Sequence, residues 1–151
     1  MNSNIVRGVL VLLAVLIAQA SFAQDAKQKS EAGRWVTESG NLEVDIAPCG
    51  KALCGTVVQV LGNRSMSSPQ ATMQAADTRP ALGMQILSDL VPDNDGEWSG
   101  HIYNRENAKT YDCYMKLVAP DQLKIRAYKF LPLFGKTQIW KRVQIANPTA
   151  Q

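Results

Sequence analysis

The sequence predicts an all-β protein, an antiparallel up-and-down barrel of about eight strands. Three observations carry this. Apolar and polar residues alternate with a period of two through most of residues 33–144. The alternating runs are short and are separated by turn-forming residues at hairpin spacing. No stretch in that range has the long amphipathic period of a helix. A sandwich is the competing architecture. A meander of adjacent hairpins favours the barrel, and closure removes exposed strand edges.

The elements follow in order. Residues 1–23 read as a cleaved signal peptide. Arg7 supplies a positive start, Val9 to Ile17 is an uninterrupted apolar run, and Ser21-Phe22-Ala23 places small residues before a cleavage point at Gln24. A membrane anchor is the competing reading, but the run is short of the roughly 20 residues that span a bilayer. No second spanning segment follows. The expected compartment is the periplasm, or the extracellular space if the source has no outer membrane. Residues 24–32 are polar and read as a flexible leader.

From Gly33 the period becomes two. Trp35 to Glu38 opens the first strand, and Asn41 to Ile46 alternates apolar with acidic residues. Cys49-Gly50-Lys51-Ala52-Leu53-Cys54 reads as a hairpin loop with a cysteine at each strand end, a geometry that admits a disulfide. Two separate thiols are the alternative. Cys113 is then the odd cysteine, either buried and inert or a route to a covalent dimer. Cys54 to Val60 is apolar and β-branched on both parities, which predicts cover on both sides.

Residues 62–80 are irregular and poor in large apolar groups, with one candidate helical turn at Met73 to Ala76. A loop of this length inside a compact domain is commonly a lid or a binding loop. Strands then resume at Gly83–Leu87, Glu97–Tyr103, Thr110–Leu117, Leu123–Tyr128 and Thr137–Val143. Turns lie at Asp93 to Gly96, Asn104 to Ala108 and Pro120-Asp121. Leu131, Leu133 and Phe134 make an apolar loop, which suits a lid, a partner patch or a plug. The domain is expected to end at residue 144, with a polar tail over 145–151.

Charge excludes one class of function. The chain carries a net +3, and loss of Arg7 with the signal leaves +2. Lysine, arginine, aspartate and glutamate are interspersed after residue 24, so there is no basic stripe for nucleic acid. His101 is the single histidine. No nucleophile or orienting acid joins it in a recognisable triad, so an outward-facing strand residue outweighs a catalytic one. Asp93, Asp95 and Glu97 crowd one turn without a full calcium loop, and a solvated turn is the better reading. The cysteine and histidine count does not make a zinc site. No catalytic residue, metal site or cofactor is assigned.

Two motifs carry a resemblance. Gly33-x-Trp35 near the start and Arg142 in the last strand resemble the signature of the calycins, the superfamily of lipocalins and fatty-acid-binding proteins. That resemblance implies a barrel whose first-strand tryptophan packs at the closed end, with the arginine stacked across it. A wider set, Cys49-Gly50…Leu53-Cys54-Gly55, Arg79-Pro80…Gly83, Trp98-x-Gly100-x-Ile102-Tyr103-Asn104, Lys109-Thr110-Tyr111 and Gly135-Lys136-Thr137-Gln138-x-Trp140-x-Arg142, is similar to a family of small secreted bacterial proteins catalogued as a domain of unknown function, DUF twenty-one forty-seven. The resemblance implies a lipocalin-like barrel and carries no activity. His101, Asn107-Ala108, Cys113 and the 62–80 segment depart from its common pattern.

The functional expectation rests on parity. Met84, Ile86, Trp98, Ile102, Tyr111, Met115 and Ile125 are expected to face the barrel interior, with Arg126 or Tyr111 as an orienting polar group. They either fill the barrel or line a cavity for a small apolar or amphipathic ligand. A cell-envelope protein partner, contacted through the 62–80 or 131–134 loop, is the alternative. Trp35 and Arg142 are expected to close the barrel.

Overall fold

The computed structural model describes residues 30–144. The expected signal peptide, most of the leader and the tail lie outside the described residues. Eight strands form a closed antiparallel barrel in sequence order. They are β1 (Gly33–Val36), β2 (Leu42–Cys49), β3 (Ala52–Val60), β4 (Gln85–Pro92), β5 (Trp98–Asn104), β6 (Lys109–Ala119), β7 (Gln122–Tyr128) and β8 (Lys136–Arg142). A single turn of 3-10 helix, Pro132–Phe134, precedes β8.

Direction along the strands sorts the connections into two groups. The β2–β3, β4–β5 and β6–β7 turns lie at one end together with Glu31 and Ala32. The β1–β2 turn, the 61–84 loop, the β5–β6 turn and the 129–135 loop lie at the other, which is the mouth. The seam between β1 and β8 is short, pairing Trp35 with Arg142 and Val36 with Lys141. It is lengthened by Val143 N–H donating to Arg34 O at 2.9 Å and Ile139 N–H donating to Glu38 Oε2 at 3.1 Å.

The clasp at the closed end is built from the Gly-x-Trp and arginine motifs. Trp35 is fully buried. The Arg142 guanidinium lies 4.1 Å from its ring centroid. It also donates to Pro120 O at 2.7 Å and Ala32 O at 3.1 Å, tying the β6–β7 turn and the chain entering β1 to the barrel. Gly33 is required there, because it sits at φ +123° and a Cβ would come within 2.9 Å of Arg142 Nη1. Glu31 O accepts from Trp35 Nε1 at 2.9 Å, so hydrogen bonding to the barrel begins before the expected boundary at residue 33.

Above the clasp, side chains from every strand fill the barrel. Val44, Leu87, Leu90, Met115, Leu123 and Ile125 have no exposed surface, and Ile46, Val57, Cys113 and Trp140 are at 1 %. The expectation that β3 is covered on both sides is corrected. Leu53, Gly55 and Val57 are buried, but Ala52, Cys54, Thr56 and Val58 on the opposite parity are only partly covered.

Candidate functional site

The packed layers stop short of the mouth. There the barrel opens into a cavity of about 730 Å³. Trp140 is at its floor, with Leu42, Ile86, Ile102, Tyr111 and Ala127 as apolar walls. Gln138 lies among them and accepts from Trp140 Nε1 at 3.0 Å, so the indole fixes the amide that faces the cavity. Tyr111 Oη accepts from Asn107 Nδ2 at 2.8 Å. The rim is polar, with Asn41, Asn104, Lys129 and Lys136, and carries Met66, Met73 and Phe134 between the polar groups.

The 61–84 loop forms one side of this mouth and is held by polar anchors. Asn41 is 4 % exposed and pairs with the backbone of Arg64 twice, donating from Nδ2 to the carbonyl and accepting at Oδ1 from the N–H, each at 2.8 Å. Glu106, in the β5–β6 turn, accepts from the Ser65 hydroxyl in a short contact, from Ser67 Oγ at 2.9 Å and from Met66 N–H at 2.9 Å. These donors, Ser65 first, hold its carboxyl below the usual glutamate value. Asp77 takes a forked contact from Arg79 and a 2.7 Å hydrogen bond from Tyr103 Oη, which keep its carboxyl well below the usual range. Ala76 and Asp77 N–H groups donate to the Glu106 and Arg105 carbonyls at 3.1 Å. Lys136 Nζ donates to Met66 O at 3.0 Å.

The expected interior set is therefore divided. Ile86, Ile102 and Tyr111 line the cavity. Met115 and Ile125 are buried in the packed layers, and Trp98 packs partly buried against them, so these three fill the barrel. Met84 is corrected. It precedes β4, packs partly buried against the core cluster, and lines a second hollow with Arg79, Tyr103 and Thr110 in place of the mouth cavity. Arg126 is corrected as well. Ile125 points inward, so its neighbour points out. Its Nε donates to Pro132 O at 2.8 Å, Nη1 to Thr137 Oγ1 at 2.7 Å and Nη2 to Leu133 O at 3.3 Å, and it buttresses the 3-10 turn.

Other expectations resolve in the same way. Met73 to Ala76 form no helical turn; Met73 N–H donates to Asn63 O and Ala76 N–H to Glu106 O instead. The 131–134 loop is exposed at the mouth and is no plug for the closed end. Cys49 and Cys54 are disulfide-bonded with Cα atoms 5.8 Å apart. Cys113 is a free thiol at 1 % exposure, which keeps its sulfur from a second chain and favours the buried, inert alternative; burial, with the Asp112 charge, pushes the thiol up to about 12. His101 faces outward, with Nδ1 3.7 Å from Asp89 and Nε2 3.5 Å from Asp112, away from the cavity. Asp93 caps its own turn, accepting from Glu97 N–H at 2.9 Å and Asp95 N–H at 3.0 Å through Oδ1 and from Ser99 Oγ at 3.0 Å through Oδ2. Among the described residues no cluster of histidine, cysteine and acidic side chains could hold a metal ion. None of their helices is long and apolar enough to cross a membrane.

A bacterial family described as "Uncharacterized protein conserved in bacteria (DUF2147)" matches residues 33–142, the whole barrel. The chain belongs to this family. In three dimensions it is similar to the protein HP1028 from the human pathogen Helicobacter pylori, whose structure is described as belonging to the lipocalin family. The TM-score is 0.56 at 17 % identity, over 77 % of this chain and 84 % of that one. That likeness fixes the DUF2147 barrel as lipocalin-like in fold. No curated protein matches the chain.

Proposed function

We propose that this DUF2147 protein is a periplasmic binding protein that holds a small apolar or amphipathic molecule in the mouth of its barrel. The observation that carries the reading is the cavity of about 730 Å³ above a fully packed lower barrel. That volume is within the range of small-molecule sites, which are mostly apolar with a few placed polar groups. Trp140, Ile86, Ile102 and Ala127 suit a hydrocarbon portion. Gln138 and Tyr111 offer orienting groups, and Lys129 and Lys136 at the rim suit an anionic end such as a carboxylate. The signal-like residues 1–23 and the Cys49–Cys54 disulfide support an oxidising compartment outside the cytoplasm. A binding role fits better than an enzymatic one, since His101 lies outside the cavity.

Native mass spectrometry of the protein purified from its own host tests this. A retained small molecule is expected, and it should be absent from Ala127→Phe, which fills the cavity from one wall. Retention by a folded Ala127→Phe protein, or no ligand and no uptake of a fatty-acid probe by the wild type, would contradict the reading.

A further inference from the structure

The apolar loop beside the mouth is built to be exposed. Phe130 is 85 % exposed, Leu133 80 % and Phe134 78 %, and Leu131 is 56 % exposed. This is not a loosely held segment. Arg126 donates to the carbonyls of Pro132 and Leu133 from the outer face of β7. Gly135 closes the turn where a Cβ would meet Ala127 O at 2.7 Å and Pro132 O at 3.0 Å. Phe130 itself sits at φ +72°, a region that is costly for a bulky aromatic residue and that glycine or asparagine would occupy more easily. The fold thus holds an aromatic side chain in a strained conformation in order to present it to solvent.

Basic residues surround the same loop. The mouth carries Arg64, Lys109, Lys129 and Lys136. Of its acidic groups, Asp77 is paired with Arg79, and Glu106 and Glu38 keep their charge while hydrogen-bonded to the 61–84 loop and to the β8 backbone. The closed end is mixed in sign: Asp93, Asp95, Glu97 and Asp121 share its turns with Lys51, and Glu97 is met by Lys116 and Lys124. Exposed apolar tips flanked by Lys129 and Lys136 complement an anionic lipid surface. The tips enter the headgroup boundary and the lysines meet phosphate. The two lysines add to the apolar contact an attraction to anionic headgroups.

We propose that the mouth docks on an anionic phospholipid membrane through Phe130, Leu131, Leu133 and Phe134, with Lys129 and Lys136 on the headgroups, and that the cavity is filled from that membrane. The second part rests on the ligand-binding reading; the docking does not.

The test is flotation of the purified protein with vesicles of phosphatidylethanolamine and phosphatidylglycerol, against vesicles of phosphatidylcholine alone. The double variant Phe130→Gly/Leu133→Ser uses two residues that do not line the cavity, and the glycine relieves the φ strain, so thermal stability is not expected to fall. The expected result is wild-type binding to the anionic vesicles only, weakened by salt, and weakened at least about tenfold in the variant. Uptake of a dansyl fatty acid in solution should be unchanged in that variant, so failure of docking and failure of ligand binding are read separately. No wild-type binding at low salt, equal binding of wild type and variant, or equal binding to both kinds of vesicle would overturn the proposal.

Discussion

The two ends of this barrel are held by different chemistry. The closed end is an aromatic and arginine clasp on a packed apolar stack. Trp35 is buried under the Arg142 guanidinium, and Met115, Leu123 and Ile125 above them leave no surface exposed. The mouth is held by polar contacts across long sequence distances, Asn41 to Arg64 and Glu106 to Ser65 and Ser67. An apolar stack stabilises the whole fold, because its burial is lost only on unfolding. A polar latch over a cavity stabilises one loop, and can open without unfolding the rest. The difference separates a scaffold from a site on one small barrel.

Substitutions at the two ends should therefore affect different measurements. The largest expected effect is Trp35→Ala, at about 3–5 kcal/mol of global stability for removing a fully buried aromatic residue. Arg142→Ala should cost about 2 kcal/mol through the lost stacking and hydrogen bonds. Denaturant unfolding reads both. Ligand affinity should change little in whatever fraction stays folded, and a larger loss of affinity than of stability would show that the clasp is part of the site.

Asn41→Ala tests the mouth. It leaves the Arg64 N–H and carbonyl without their side-chain partner, at about 1–3 kcal/mol. Hydrogen exchange should rise in residues 61–84 and remain slow in β2, β6 and β7. Uniform acceleration over the barrel would show that the loop is part of the cooperative core.

Acid should act on the same latch. Glu106 has a native pKa below its unfolded value, so the stability it contributes is complete above the ordinary glutamate value of about 4.3. It is lost progressively as pH falls below that value towards the depressed native one. Asp77 acts in the same direction. Fatty-acid-probe affinity should fall in that acid range before the far-ultraviolet signal of the barrel changes. In Glu106→Gln the remaining acid dependence should be smaller; an unchanged profile would remove Glu106 from the latch.

The same contrast explains what was legible in the sequence. Strand periodicity, the Gly33-x-Trp35 and Arg142 pair and the Cys49–Cys54 hairpin are local patterns or family motifs, and all eight strands fall close to where alternation puts them. Parity states whether a residue faces in or out, but not its height in the barrel. Ile102 and Met115 both face in, yet one lines the cavity and the other lies in the stack, and only the register separates them. Alternation alone puts Arg126 on the outer face, since it cannot share a face with Ile125. The loop anchors were not legible. Asn41, Ser65 and Glu106 form no motif, and a serine hydrogen-bonded to a glutamate 41 residues away has no periodic signature.

The most direct test of the central claim is a methyl-labelled NMR titration with a medium-chain fatty acid. The account predicts shift changes at Leu42, Ile86, Ile102 and Ala127 around the cavity, with Leu123, Ile125 and Met115 in the stack unmoved. Changes concentrated in the stack, or none at the cavity walls at saturating probe, would contradict it.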